Sequence, residues 1–136
     1  MHKKFEKDLK AVNTTFLLTD NPQESFYYIH TYLFAKTNFY NDFDFAREIG
    51  KNPDIHKSAI IEGGVIIGSN VKIGPNVVIH SGTIIGDNVV IEANTTLGIN
   101  GFQIANIDNK RILVPHTGGV LVENDSRIGS NVVICR

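Results

Sequence analysis

The sequence lacks the features that mark several classes of protein. Its one cysteine, Cys135, excludes an internal disulfide framework and a cysteine-rich metal cluster. Its 13 basic and 14 acidic residues give a formal net charge of −1, without the basic surplus that a nucleic-acid-binding arm needs. No apolar run approaches the length of a membrane span, and no secretory signal precedes the first folded segment. We therefore expect a cytoplasmic protein without a membrane span.

A six-residue repeat fills most of the chain after residue 54. Eight hexapeptides follow one another in phase from Ile55 to Phe102, each led by isoleucine or, once, by leucine. The phase returns at Val122, Ile128 and Ile134. A strict six-residue period with one branched aliphatic residue per unit predicts an all-β fold, the parallel β-helix, in which three units form a triangular coil of about 18 residues.

The remaining positions of the repeat fit narrow corners. The fifth residue of each unit is mostly small or β-branched, as at Val65 and Val71, which suits an interior with little room. The fourth is mostly Asn, Asp or Gly, the residues that tolerate a left-handed backbone, so each unit is predicted to contain one sharp turn. The predicted turn residues are Ser58, Gly64, Asn70, Asn76, Gly82, Asn88, Asn94, Asn100, Asp125 and Asn131.

The first 53 residues do not follow the repeat. We predict that residues 1–53 are the tail of an N-terminal α/β domain with two short helices, and that residues 54–136 form the β-helix. Residues 15–18 are predicted to be a short buried strand. A helix is predicted to begin at Pro22, because Asn21 can cap it and Glu24 lies at the spacing of a capping box.

Apolar side chains recur at helical spacing in this first helix. Those that fall on one face, and are predicted to be buried, are Phe26, Ile29, Leu33 and Phe34. Three tyrosines, at positions 27, 28 and 32, widen the face, and the alternative is a ligand or partner surface. A second short helix is predicted from near Asp44 to Ile49, ending at Gly50.

The repeat is interrupted between about residues 102 and 121. The segments QIANI and RILVP are predicted to be two strands around the turn residues Asp108 and Asn109, followed by PHTGGV. A hairpin that leaves a solenoid is a common place for substrate contacts, because the coils provide a rigid frame and the loop provides the chemistry. The alternative is a loop that only packs between copies of the chain.

Several motifs resemble one family. The run FLLTDNPQESF, the IHKSAI opening of the repeat, GINGFQ and the series PHTGGVLVENDSRIGSNVVICR are similar to the UDP-3-O-acylglucosamine N-acyltransferases of lipid A synthesis and their close relatives. The resemblance extends over nearly the whole chain from about Phe16. The hexapeptides alone are shared by many acyltransferases, whereas the flanking motifs are more specific.

The resemblance implies the hand of the fold, the assembly and the reaction. It implies a left-handed β-helix that works as a homotrimer. It also implies transfer of an acyl group from an acyl carrier protein thioester, or from acyl-coenzyme A, to the amine of a UDP-linked aminosugar, with no bound cofactor and no metal. In that family a histidine acts as general base on the amine, and the acyl and pantetheine chains lie in grooves between neighbouring subunits.

The resemblance places the family's general base beyond Arg136. The catalytic histidine of the family follows a segment that reads I-D-R-G, whereas the sequence here ends with Ile134, Cys135 and Arg136. We therefore expect a central piece of a longer acyltransferase, inactive alone because it lacks the catalytic coil. The in-chain candidates for the base are His116 and His80. The predicted substrate-binding residues are Asn100, Gly101, Phe102 and His116.

The other titratable candidates are expected to be structural or inert. His56 opens the repeat in an I-H-x-S-A pattern, and His30 is predicted to lie on a helix surface. His80 takes the second position of its hexapeptide, where glycine or glutamate is otherwise preferred, and is expected to point outward. The Cys135 thiol has no activating group nearby in sequence.

Other functions remain open at this point. One is a hexapeptide sugar O- or N-acetyltransferase that uses acetyl-coenzyme A, and another is a non-catalytic trimerisation scaffold. A metalloenzyme of the γ-carbonic anhydrase type needs three histidines converging across a subunit boundary, and the sequence does not show that His56, His80 and His116 converge. Ice binding needs repeated outward threonines, but outward positions here include Lys57, Ser69 and Pro75.

Overall fold

The computed structural model describes residues 17–40 and 43–136, which form two compact units. Within the described residues, one unit combines 17–40 with 102–115, and the other combines 43–101 with 116–136. The excursion from the repeat thus groups with the N-terminal segment. Of the strand predicted at residues 15–18, the first two residues lie outside the described ones, and the prediction of burial is wrong for Leu17, which is exposed.

The described residues contain one α-helix and fourteen strands. The helix is α1 (Pro22–Lys36). The strands are β1 (Glu48–Ile49), β2 (Asp54–Ile55), β3 (Ile60–Ile61), β4 (Ile66–Ile67), β5 (Lys72–Ile73), β6 (Val78–Ile79), β7 (Thr83–Ile85), β8 (Val90–Ile91), β9 (Thr96–Ile99), β10 (Ile104–Ile107), β11 (Lys110–Leu113), β12 (Val120–Val122), β13 (Arg127–Ile128) and β14 (Val133–Cys135).

Twelve of these strands form the three faces of a left-handed parallel β-helix, as predicted. Sheet one has the order β1-β4-β7-β12, sheet two β13-β8-β5-β2, and sheet three β14-β9-β6-β3. Ile66 pairs with Ile84, which occupies the equivalent position three hexapeptides later, so three hexapeptides make one coil. Ile84 in turn pairs with Leu121. The separation of these two residues in sequence is about twice that of Ile66 and Ile84, because the excursion is inserted into the next coil.

The leading aliphatic residues form the core. The buried leads are Ile67, Ile73, Ile79, Ile85, Ile91, Leu97 and Val122, and between them lie the buried fifth-position residues Val65, Val71, Val77, Thr83, Val89 and Thr95. Each buried lead contributes roughly 1.5–3 kcal/mol. Four leads near the two ends, at positions 55, 61, 128 and 134, are only partly buried, because they belong to the outermost strands of their sheets.

The helix predicted from Asp44 to Ile49 is wrong. Glu48 and Ile49 instead form β1, which pairs in parallel with β4. Ile49 lies one repeat before Ile55 and Asn52 has φ 52°, so this segment is one more hexapeptide. The first strand of the β-helix therefore begins before the predicted boundary at residue 54.

Most predicted corner residues adopt the left-handed conformation. A positive φ is found at Gly64, Asn70, Asn76, Gly82, Asn88, Asn94, Asp125 and Asn131. The prediction is wrong for Ser58 and Asn100. In the latter hexapeptide the left-handed residue is Gly98, with φ 77°, and β9 continues to Ile99.

In the other unit, α1 begins as predicted, but its apolar face is not buried. The Asn21 side chain accepts a hydrogen bond of 3.2 Å from the Glu24 N–H and donates one of 2.8 Å to the Glu24 carboxylate. No residue of α1 is buried, and Phe26 is 61% exposed. The prediction that this face is buried is therefore wrong for the described residues.

The same unit contains the predicted hairpin of β10 and β11, which turns at Asp108 and Asn109 with positive φ. His30 of α1 is not the simple surface residue that was predicted. Its Nε2 lies 2.7 Å from the Pro115 carbonyl oxygen, and its Nδ1 bonds to the Tyr40 hydroxyl. A cleft of about 310 Å³ beside the hairpin is lined in part by Tyr28, Tyr32, Ile107 and Lys110.

Candidate functional site

The β-helix turns at three corners, and at the third a glutamate and a histidine of successive coils contact each other. The first corner follows sheet one, the second follows sheet two, and the third follows sheet three and leads back to sheet one. In the first corner the second position of the hexapeptide is glycine in three successive coils, at Gly50, Gly68 and Gly86. A Cβ on Gly68 would lie 2.6 Å from the carbonyl carbon of Gly86, so the coils touch there. In the third corner the same position holds Glu62, then His80, then Gly98.

The first corner shows what a purely structural corner requires. Asn52 donates to Asn70 at 3.3 Å, Asn70 to Asn88 at 3.2 Å, and Asn88 to Asp125 at 2.9 Å. All four residues are in the left-handed conformation, and their side chains form a ladder up the edge. Glycine at the second position and asparagine at the fourth are thus sufficient for stacking at this corner, although the second corner stacks with His56 and Glu92 at the second position.

Glu62 and His80 meet in the third corner across one coil. Glu62 Oε1 lies 2.9 Å from His80 Nδ1, and Oε2 accepts a 2.9 Å hydrogen bond from the Ser81 N–H. The Ser81 hydrogen bond lowers the pKa of Glu62 below its ordinary value, and His80 and the Arg136 guanidinium add to this effect, although partial burial opposes it. Glu62 is therefore a carboxylate at neutral pH.

The charge of Glu62 determines which ring nitrogen of His80 carries the proton. An ionised carboxylate can only accept hydrogen bonds, so His80 Nδ1 is the N–H donor. In the neutral ring the lone pair is then on Nε2, for which no hydrogen-bonding partner is found among the described residues. About a quarter of the side chain is exposed. This arrangement can accept a proton from a bound molecule.

Arg136 connects three coils at this corner. Its Nε donates to the Gly98 carbonyl oxygen at 2.7 Å, its Nη2 donates to the Ser81 carbonyl oxygen at 2.8 Å, and its backbone N–H donates to Ile99 at 2.9 Å. The side chain thus holds Ser81, whose N–H binds Glu62.

Two of the predicted substrate-binding residues, Gly101 and His116, lie together where the chain leaves and rejoins the β-helix. A Cβ on Gly101 would lie 2.5 Å from His116 Cε1, so the imidazole needs glycine there. His116 Nδ1 lies 3.2 Å from the backbone oxygen of Arg136, and its Nε2 is buried without a partner. Asn100 and Phe102 are exposed, the latter by 85%.

The sequence interpretation missed Glu62, Ser81 and Arg136. A signal for the first was present, because Glu62 and His80 are three hexapeptides apart and therefore occupy equivalent positions of successive coils. No such signal existed for Arg136, whose place depends on the length of the excursion. His56 bonds through Nδ1 to the Ser58 hydroxyl at 2.8 Å, as suits a structural residue, and Cys135 is an exposed free thiol.

The two faces that meet at the third corner are mostly apolar. Sheet one presents Glu48, Ile66, Ile84 and Leu121 outward, and sheet three presents Ile60, Val78, Thr96 and Val133. Sheet two is charged: Lys72 pairs with Asp54 at 3.8 Å, and Arg127 pairs with Glu92 beside it at 3.2 Å. The polar third corner is therefore flanked by two mostly apolar faces.

Two further features were sought in the part of the chain that the structure describes. No group of three or more His, Cys, Asp or Glu side chains there is arranged to hold a metal ion. No helix there is long and apolar enough to cross a membrane.

Comparison with known proteins supports a transferase. A search of curated proteins gives no match to the chain. The bacterial transferase hexapeptide (six repeats) family matches residues 48–81 and 64–98, which contain β1 to β9 up to Gly98. The matched segment includes Glu62 and His80 and also the hexapeptide led by Ile49. The repeats of this chain are thus similar to those of bacterial hexapeptide transferases.

Proposed function

We propose that this protein transfers an acyl group from an acyl carrier protein thioester to the amine of a UDP-linked aminosugar. The observation that carries the proposal is the polar third corner, placed on a β-helix whose repeats are similar to those of bacterial transferases. The motifs FLLTDNPQESF and PHTGGV support the choice of aminosugar and carrier, because they resemble those of lipid A N-acyltransferases.

The reaction makes clear demands on a site. The amine nitrogen attacks the thioester carbonyl carbon, the C–N bond forms, and the C–S bond breaks to release the carrier thiol. The nitrogen loses a proton, so a base must be within reach, and N–H donors must stabilise the oxyanion that develops. The third corner offers a histidine within the chain itself, and we therefore propose that the protein as it stands is active, in place of the inactivity expected from the resemblance.

We propose further that the protein acts as a homotrimer. Apart from Glu48 and Thr96, the outward rows on sheets one and three are apolar, and they contain exposed side chains such as Ile60, Ile84 and Leu121. Contiguous apolar surface of this kind favours association, whereas the charged sheet two suits solvent. Grooves between neighbouring β-helices would give the acyl and pantetheine chains an apolar environment. Sedimentation velocity that shows a monomer at all protein concentrations would contradict this.

The experiment is a transfer assay with the protein as it stands. Acyl carrier proteins loaded with different acyl chains are offered with a UDP-linked glucosamine that has a free amine, and the N-acyl product is detected by mass. Detection by mass is needed because the exposed Cys135 thiol reacts with thiol reagents. Product from acetyl-coenzyme A alone would favour an acetyltransferase. A trimer that makes no product with any donor would favour a scaffold.

A further inference from the structure

We propose that Asn100 is a site of spontaneous covalent modification, at which the side-chain amide is lost after attack by the Gly101 backbone nitrogen. The two residues form the only Asn–Gly pair of the chain, and they directly follow β9. The expected products are an aspartate at position 100 and its isomer, in which the main chain continues through the side-chain carbonyl. The proposal does not depend on the acyl transfer proposed above.

The asparagines in the corners of the β-helix are held by hydrogen bonds between coils. The Asn88 side chain donates to Asp125 at 2.9 Å and accepts from Asn70 at 3.2 Å, and Asn94 accepts from Asn76 at 3.2 Å. All four asparagines have the left-handed backbone conformation. Their amide groups cannot turn towards the following backbone nitrogen without losing these bonds.

Asn100 occupies the same position of its hexapeptide, but it has none of these restraints. The left-handed residue of this unit is Gly98, and β9 continues to Ile99. The Asn100 side chain is exposed, and no hydrogen bond to it is found among the described residues. The Gly101 backbone N–H likewise has no hydrogen-bond acceptor in the described part of the chain. Neither the Asn100 amide nor the Gly101 nitrogen is therefore tied to another group.

The residue that follows the asparagine also differs from the corners. There, the side chain after each fourth-position asparagine is β-branched, which crowds the backbone nitrogen of that residue, as at Val71, Val77, Val89, Thr95 and Val132. Gly101 has no Cβ. The structure requires glycine here, because a Cβ would lie 2.5 Å from His116 Cε1. The His116 ring thus excludes the kind of side chain that would shield Asn100.

The reaction is balanced in atoms and electrons. The Gly101 nitrogen loses its proton to solvent and attacks Asn100 Cγ, so a C–N bond forms. The bond between Cγ and Nδ2 breaks, and Nδ2 leaves as ammonia. Water then opens the cyclic imide at either carbonyl carbon, which gives aspartate or its β-linked isomer. The sum of these steps is hydrolysis of the side-chain amide, and water is the only co-reactant.

The modification changes the surroundings of His116. Ile99 accepts a 2.9 Å hydrogen bond from the Arg136 backbone N–H, and His116 Nδ1 lies 3.2 Å from the backbone oxygen of the same arginine. The β-linked product inserts a methylene group into the main chain between Ile99 and Gly101, against which the His116 ring packs. We therefore expect the ring to be displaced as the isomer accumulates.

The test follows each asparagine while the folded protein is kept at neutral and at mildly alkaline pH. The protein is then digested in heavy-oxygen water, which labels any asparagine that reacts during handling, and fragment masses locate the modified residues. We expect Asn100 to be converted, and faster at the higher pH because the attacking nitrogen must lose a proton. Asn88 and Asn94 are the internal controls and should keep their amides. The enzyme isoaspartyl methyltransferase labels the β-linked product.

Variants separate the two reacting groups. Asn100→Gln should stop the modification, because the longer side chain cannot form the five-membered ring. His116→Ala removes the ring, and the double variant His116→Ala with Gly101→Ala then adds only a methyl group in the space that the ring leaves. The double variant should react several-fold more slowly than His116→Ala. Urea unfolding of each variant shows whether the fold is retained.

Three outcomes would overturn the proposal or one of its steps. Conversion of Asn100 no faster than that of Asn88 and Asn94 would overturn it, as would conversion that occurs only in urea, since the reaction would then belong to the unfolded chain. Equal rates in the two His116 variants would overturn the role of glycine. His116 NMR signals that stay constant during conversion, like those of His56, would overturn the displacement of the ring. Acyl transfer is assayed with freshly prepared protein, so none of these results decides it.

Discussion

Replacement of Ile79 tests the stacking of the β-helix quantitatively. Ile79 has 0% exposure and pairs in register with Ile61 on one side and Leu97 on the other. Ile79→Ala removes three carbon atoms, worth about 0.8 kcal/mol each, and leaves a cavity, so the expected loss of unfolding free energy is about 2–5 kcal/mol. Ile79→Asp places a carboxylate where no donor reaches it, and we expect no soluble folded protein.

The control is an outward residue on another face. Val90 lies between Lys72 and Arg127 on the neighbouring strands of sheet two, so the carboxylate of Val90→Asp would be flanked by two cations. We expect this change to stay within about 0.5 kcal/mol. Urea unfolding followed by circular dichroism gives the free energies. An Ile79→Ala cost below about 1 kcal/mol, or a folded Ile79→Asp, would refute the assignment of Ile79 to a close-packed axis.

Three further predictions concern the corners. Asn88→Ala should lose about 1–2 kcal/mol of unfolding free energy in a urea titration, because alanine is strained at φ 58° and two amide hydrogen bonds disappear. Asn88→Gly loses the same hydrogen bonds without the strain, so it should lose less. Equal losses in the two variants would contradict the strain. Glu62→Gln should have a lower free energy of unfolding than the original protein at pH 7. The difference should shrink as the pH falls below about 4.5, because the lowered pKa of Glu62 stabilises the folded protein only while the carboxyl group is ionised. A difference that does not depend on pH would contradict this. Gly101→Val should displace the His116 ring and change its NMR shifts while those of His56 stay constant, and an unmoved His116 would show that the ring does not rest on Gly101.

The periodic part of the fold could be predicted because its constraints are local and repeated. A lead aliphatic in every hexapeptide fixes which side chains face the axis, and an asparagine or glycine at the fourth position fixes where each unit turns. The failure at Asp44–Ile49 has a definite cause. Gly50 was interpreted as the end of a helix, although it occupies the same position as Gly68 and Gly86, and Ile49 continues the phase.

The apolar face of α1 shows a limit of another kind. Spacing along the chain reveals that Phe26, Ile29 and Phe34 share a face, but not what covers it. All three remain exposed in the unit that the structure describes. Burial of a face is decided by tertiary contacts, whereas helix formation here is already favoured by the cap at Asn21 and by Pro22.

The third corner could be predicted only in part, because it combines a repeated feature with an aperiodic one. The pairing of Glu62 with His80 follows from the three-hexapeptide coil alone. The addition of Arg136 depends on the length of the inserted excursion, which sets the register of the last coil. A solenoid can vary the residues of one corner freely while the other two corners and the axis keep the coils stacked. Glu62 and His80 take the place of glycine at this corner, and the strands that precede them still pair in register from coil to coil.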